Sequence, residues 1–255
     1  MIEGVYSEIA AQFWLVAAVF LRLLPAISLA PGYGESFVSA RVRLVVTLLL
    51  SVAVAPILEP YLPSEAPNPA DILAFVLKET VIGFFLGLVA RSIIFLLEMA
   101  GAVISQYVSL AQMLGNATEP MPVISHIITT AGLAIIFATS LSDQIIYGFV
   151  ASYFVDIPGL ADLTGYLGAK VSALGNYIFN EGVVLAAGFA SLMFVYYLCI
   201  GFINKAMPQF MVSFIGIPFV ALFSIYFLHE HAELMLTVWQ EKALTILKMP
   251  FESLQ

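Results

Sequence analysis

The chain has 255 residues, 62% of them hydrophobic and only 10% charged, with a mean hydropathy of +1.02. Soluble domains carry about 25% charged residues, so this composition marks an integral membrane protein or part of a hydrophobic assembly. Nine Lys and Arg against seventeen Asp and Glu give a net charge of −8, with no basic cluster to bind nucleic acid or an anionic lipid surface.

The lone cysteine, Cys199, sits in the apolar run MFVYYLCIG. A disulfide framework and any cysteine-based metal or iron–sulfur site are excluded, and a lone cysteine, where buried, is most often a small hydrophobe. Glu3 and Glu8 precede the first basic residue, Arg22. A cleaved signal needs a positive start, so we expect a retained N-terminus.

The first apolar run, Ile9 to Pro31, is interrupted by Arg22 and Pro25 but exceeds the ~20 residues a membrane crossing needs. Arg22 cannot face lipid cheaply and must pair with a carboxylate or carbonyl, or snorkel. A turn-rich connector, PGYGESFVSARVR, carries the closely spaced basic pair Arg41 and Arg43. The second run, Leu44 to Leu58, closes at Pro56 and Pro60. The next connector is acidic and stiffened by Pro60, Pro63, Pro67 and Pro69. By the distribution of positive charge the first connector would face the cytoplasm.

Asp71 is the predicted cap of a third helix from Ile72 to about Leu97. Arg91 and Glu98, seven apart, share a face of it. Two readings are open: a buried ion pair holding a partner helix, or a helix end reaching headgroups. Glu98 to Pro122 is then broken by Gly101, Ser105, Gln106, Gln112, Gly115, Asn116 and two prolines. A non-helical backbone at membrane depth survives only buried in protein or lining a wet cavity. A polar surface loop is the equally weighted alternative. Tyr107, Leu110, Met113 and Leu114 suit either core packing or a soft apolar seal, since Met fills irregular gaps.

Two apolar segments follow, Val123 to Leu141 and Ile145 to Ile157, separated by Ser142–Gln144. Leu160 to Asn176 reads as a soluble-looking boundary. Tyr177 to Ile203 is apolar again, with Glu181 near its start and Gly182, Gly188 and Gly201 permitting close helix approach. A second irregular site runs from Asn204 to Pro218, where Lys205, Pro208, Gly216 and Pro218 predict a kinked hairpin. The tail after Leu228 is amphipathic, with Leu234, Val238, Leu244 and Leu247 on one stripe.

No nucleotide-binding, HExxH or GxSxG pattern occurs. His229, His231 and Glu233 do not converge on one helix face, so neither a metal site nor any cofactor is expected. An enzyme reading lacks an acid, base or metal set.

Three stretches in order, RLLPAISLAPGYGESFVSARVRLVVTLLLSVAVAPIL, VISQYVSLAQMLGNATEPMP and GFINKAMPQFMVSFIGIPF, resemble the R component of the flagellar type III export gate (the FliR family) and its virulence-secretion counterparts. The resemblance spans nearly the whole chain. Where family members often carry an arginine this chain has Lys205, which keeps the charge but changes the hydrogen-bonding geometry.

The resemblance implies an all-α protein of kinked helical hairpins, with a P-subunit-like part over residues 1–165 and a Q-subunit-like part over 166–255. It implies assembly with P and Q subunits in a helical stack at the bacterial inner membrane, in the flagellar basal body, as a channel for unfolded protein substrates. The B and A export components are implied as further partners. It places the segment 105–120 in the lumen as a plug. On that basis Tyr107, Leu110, Met113 and Leu114 form the seal and Gln106 and Gln112 line the polar path. Gly101, Gly115 and Asn116 are candidate hinges, and Arg22, Arg91, Glu98 and Lys205 candidate assembly charges. The alternative is a stand-alone secondary transporter or small channel, whose substrate site would draw on Lys205 and Glu181.

Overall fold

The computed structural model describes residues 2–62, 68–108, 123–155, 157–206 and 212–251, and among them it is helical with no strand. Among the described residues seven α-helices follow in order: α1 (Ile2–Leu29), α2 (Ala40–Leu58), α3 (Pro69–Val108), α4 (Val123–Ala138), α5 (Leu141–Ala151), α6 (Leu160–Ala206) and α7 (Val212–Lys248). A short 3₁₀ turn, Glu59–Tyr61, follows α2. Four helices among the described residues are long and apolar enough to cross a membrane. They become five if α4 and α5, bent by 73° at their break, count as one span.

Several boundaries differ from the sequence reading. Helix α3 starts at Pro69, not after an Asp71 cap: proline at the first position forfeits only an N–H that has no helical partner, and the Asn68 carbonyl accepts from Asp71 and Ile72 N–H at 2.8 and 3.1 Å. It also continues past Leu97 to Val108. Gly101 and Ser105 do not stop it, because the Ser105 hydroxyl donates back to the Gly101 carbonyl at 2.7 Å and so stays within the helix's own hydrogen bonding. Pro25 and Pro56 lie inside α1 and α2. The α4–α5 break falls at Thr139–Ser140, while Ser142, Asp143 and Gln144 form the first turn of α5. The stretch Leu160 to Asn176 is part of the 47-residue α6.

The chain divides into two compact units. The first comprises residues 1–93, 139–174 and 245–255, the second 94–138 and 175–244. In the first unit α1 and α2 pack as a helical hairpin. Val19, Leu23, Ala26 and Ala30 of α1 and Ile82, Leu86, Val89 and Ile93 of α3 are buried, spaced by three or four residues so that each set lines one helix face. At Gly83 a Cβ would collide with the Arg22 carbonyl and lie 2.7 Å from Pro25 Cγ. Only glycine lets the α3 backbone come this close to α1, as small residues do where helices pack in lipid.

In the second unit Leu97, Ala100 and Ile104 of α3, Ile124, Ile128 and Ile136 of α4 and Phe189 and Met193 of α6 are buried. Gly101 is one of these close approaches: a Cβ there would sit 2.5 Å from Ser125 Cα, and the Ser125 hydroxyl donates to the Glu98 carbonyl at 3.2 Å. On α7 the large buried apolar residues of this unit include Trp239, with Ala243 one turn on. This corrects the stripe read from the sequence, since Leu234 is 65% exposed. The reason is size and fit: Trp239 is fully buried with its ring beside Gly132.

Candidate functional site

Among the described residues three ion pairs lie in buried or half-buried settings. Arg22 of α1 is 5% exposed and Glu79 of α3 is 4% exposed. The guanidinium donates to both carboxylate oxygens, Nε to Oε2 at 2.6 Å and Nη2 to Oε1 at 3.0 Å. Its Nη1 donates to the Ser152 carbonyl at 3.2 Å and the Ser152 hydroxyl oxygen at 3.1 Å. The Tyr153 ring lies under the guanidinium carbon, 3.8 Å from it. This is a fork-to-fork pair plus a cation–π contact, the geometry that best offsets the desolvation of two ions. Burial pushes the Tyr153 phenol above its ordinary range, with the Arg22 charge opposing. The phenol therefore keeps its proton and donates to the Val19 carbonyl at 3.4 Å. One cluster thus ties α1, α3 and the residues just past α5.

The second feature clamps the first connector. Arg91 of α3 forms an ion pair with Glu35, and Arg43 donates to the Glu35 and Val38 carbonyls at 2.8 and 2.9 Å. Of the two readings of Arg91, the structure has the ion pair, although its partner lies in the connector. In the second unit Lys242 of α7 pairs with Glu181 of α6 at 2.8 Å. That hydrogen bond raises the Lys242 ammonium above its ordinary range.

The sequence points to Arg22, Arg91 and Glu181 as charges in need of partners, but not to Glu35, Glu79, Ser152 and Tyr153 as those partners. The signal was available for Glu79, since two opposite charges inside separate apolar helices find each other more cheaply than either stays alone.

The other predicted residues are placed as follows. Glu98 is half-buried in α3. Lys205 is exposed in the last turn of α6. Gln106 is exposed and Tyr107 lies in the final turn of α3. Leu110, Gln112, Met113, Leu114, Gly115 and Asn116 lie outside the described residues, as does Pro208. Gly216 and Pro218 lie within α7. His231 stacks on Phe227, ring centres 4.0 Å apart, with Nδ1 3.1 Å from the Phe227 carbonyl. Among the described residues no three His, Cys, Asp or Glu side chains gather as a metal site.

Much of the apolar surface is uncovered. Phe13 is 76% exposed on α1, and Phe179, Phe194 and Phe202 are exposed along α6. Such surface on this scale marks contact with lipid or other subunits. Long apolar helices with glycine-mediated contacts and a paired buried charge define the class, an all-helical membrane-type protein. Across residues 13–245 the chain matches the bacterial export proteins, family 1, and it belongs to that family. Among its relatives is the flagellar biosynthetic protein FliR of Caulobacter vibrioides, 25% identical over 91% of this chain and 94% of its own length. The Escherichia coli FliR is 25% identical, covering 83% of this chain and 80% of its own. That of Aquifex aeolicus is also 25% identical, with 83% of each chain covered.

Proposed function

We propose that the chain is a non-enzymatic pore subunit of the flagellar protein export apparatus at the bacterial inner membrane. With P and Q subunits, and in contact with the B and A components, it forms the channel through which unfolded export substrates pass. The observation that carries this is the family match over almost the whole chain, joined to apolar surface that a lone soluble chain would not leave open. The relatives' role in flagellar biosynthesis agrees with it.

Within that assembly we assign residues 105–120 as the plug. The seal comprises Tyr107, Leu110, Met113 and Leu114, and Gln106 and Gln112 line the path. Gly115 and Asn116 give the tip freedom to withdraw as substrate enters. Gly101 is buried against Ser125, so its contribution to hinging would require that helix contact to open. The P-like and Q-like parts, 1–165 and 166–255, are the corresponding assembly regions, with Lys205, Pro208, Gly216 and Pro218 shaping the hairpin of the second.

The test is deletion of residues Gln106 to Leu114 in cells expressing the other subunits. Membranes should become leaky to small ions while the chain still co-purifies with its partners. Membranes that stay tight would remove the plug assignment. Native mass analysis of the co-expressed particle tests the broader reading: one copy of this chain in a multi-subunit particle supports it, whereas a stable particle indifferent to P and Q subunits favours a stand-alone transporter.

A further inference from the structure

At the end of the α1–α2 hairpin remote from its connector, residues of both helices line an open groove of about 510 Å³. Gln12 and Val16 of α1 line one wall and Val52 and Pro56 of α2 the other, with Glu8 and Glu59 also lining it. Both glutamates are exposed, and neither forms an ion pair or hydrogen bond with another described residue. The apolar surface continues outside the groove along Ile9 and Phe13, each more than half exposed.

We infer that this groove receives an apolar helix of another export subunit, and that this helix carries a lysine or arginine placed between Glu8 and Glu59. Two observations select that occupant. The lining between the two glutamates is mostly apolar (Ala11, Leu15, Val16, Val52, Ala55 and Pro56) and so is the adjoining surface, as a membrane-type helix requires. Carboxylates set in such surroundings lose hydration when covered, so the covering surface must bring positive charge. Glu8 and Glu59 would then serve orientation and partner choice more than raw affinity, because a wrong partner presenting an acidic or apolar face leaves both carboxylates uncompensated. The inference rests on the export-subunit reading, to which it adds a specific surface and the chemistry of its partner.

The test uses the full chain co-expressed with the remaining export subunits, carrying Cys199→Ser and Gln12→Cys. A short bis-maleimide cross-linker is applied to the membrane complex and the linked peptides are sequenced. Cross-links to a helix of another subunit that contains Lys or Arg are expected. Glu8→Lys with Glu59→Lys should lower recovery of that subunit at least about tenfold, since like charges then face each other. An acidic substitution of the partner's identified basic residue should restore it. Both glutamates are exposed, so membrane levels of the chain itself should not change. Several outcomes would overturn the inference while leaving the export reading standing. These are normal co-purification with no cross-link at Gln12→Cys, a link only to a second copy of this chain, or recovery unaffected by the double reversal. Failure of the unmutated chain to co-purify with any export subunit overturns both.

Discussion

The Arg22–Glu79 pair gives the sharpest test of how the first unit is held together. Glu79→Ala removes both carboxylate oxygens from a guanidinium that is 5% exposed, leaving the Ser152 carbonyl and hydroxyl and the Tyr153 ring as its partners. These are neutral groups and cannot compensate the charge. Breaking a buried pair from one side costs about 3–5 kcal/mol, because the abandoned ion remains buried. At roughly 2–4 °C per kcal/mol for a chain of this size, the thermal midpoint of the detergent-purified protein should fall by about 6–20 °C. Arg22→Met combined with Glu79→Leu removes both charges and refills the volume, so the double variant should sit far closer to the parent than the sum of the single effects. Ser152→Ala should cost only about 0.5–1.5 kcal/mol, since the main-chain carbonyl still accepts. The reasoning is refuted if Glu79→Ala shifts the midpoint no more than Glu230→Ala, a change at an exposed position, or if the two single effects simply add in the double variant.

Gly83→Ala forces the α3 backbone away from the Arg22 carbonyl and should cost about 1–3 kcal/mol or more. In contrast, Gly175→Ala, where no atom lies within 4 Å, should be neutral or stabilise the isolated chain by up to about 1 kcal/mol; equal effects at the two sites would contradict the packing described. Trp239→Ala empties a fully buried site beside Gly132 and should cost about 3–5 kcal/mol, whereas Leu234→Ala, exposed on the same helix, should change the midpoint little. The Lys242–Glu181 pair is partly exposed and should contribute less than about 1 kcal/mol. Because the folded-state Lys242 pKa is raised, that contribution is complete below the ordinary lysine value of about 10.4 and is lost as pH rises through the raised one. The gap in midpoint between the parent and Lys242→Met should therefore close in strong alkali; a gap that widens there would contradict the sign.

Composition and the spacing of apolar runs were enough to read an all-helical, membrane-type chain, because helices alone satisfy their backbone groups without water or a neighbouring strand. The need of Arg22 for an internal partner was legible for a similar reason, as an isolated ion in apolar surroundings is too costly. Local breaker signals proved less dependable. Gly101 and Ser105 read as interruptions, yet they lie inside α3, where Gly101 admits Ser125 and Ser105 bonds one turn back. The soluble-looking stretch before Asn176 lies within α6, since a polar face does not weaken the i to i−4 ladder.

The identity of partners was decided only in three dimensions. Glu79 and Ser152 lie 57 and 130 positions from Arg22, and nothing in local pattern ranks them above other polar residues. Arg91 shares a helix face with Glu98, and the structure also pairs it with Glu35 of the first connector, 56 positions away. Periodicity likewise marked α7 as amphipathic but misplaced its buried stripe, because shape complementarity between Trp239 and Gly132 depends on which helix lies alongside. The sequence by itself determined the class of structure, through hydrophobicity and the cost of bare charge. The tertiary structure decided which residues meet, because contacts between distant segments depend on close fit that no local pattern encodes.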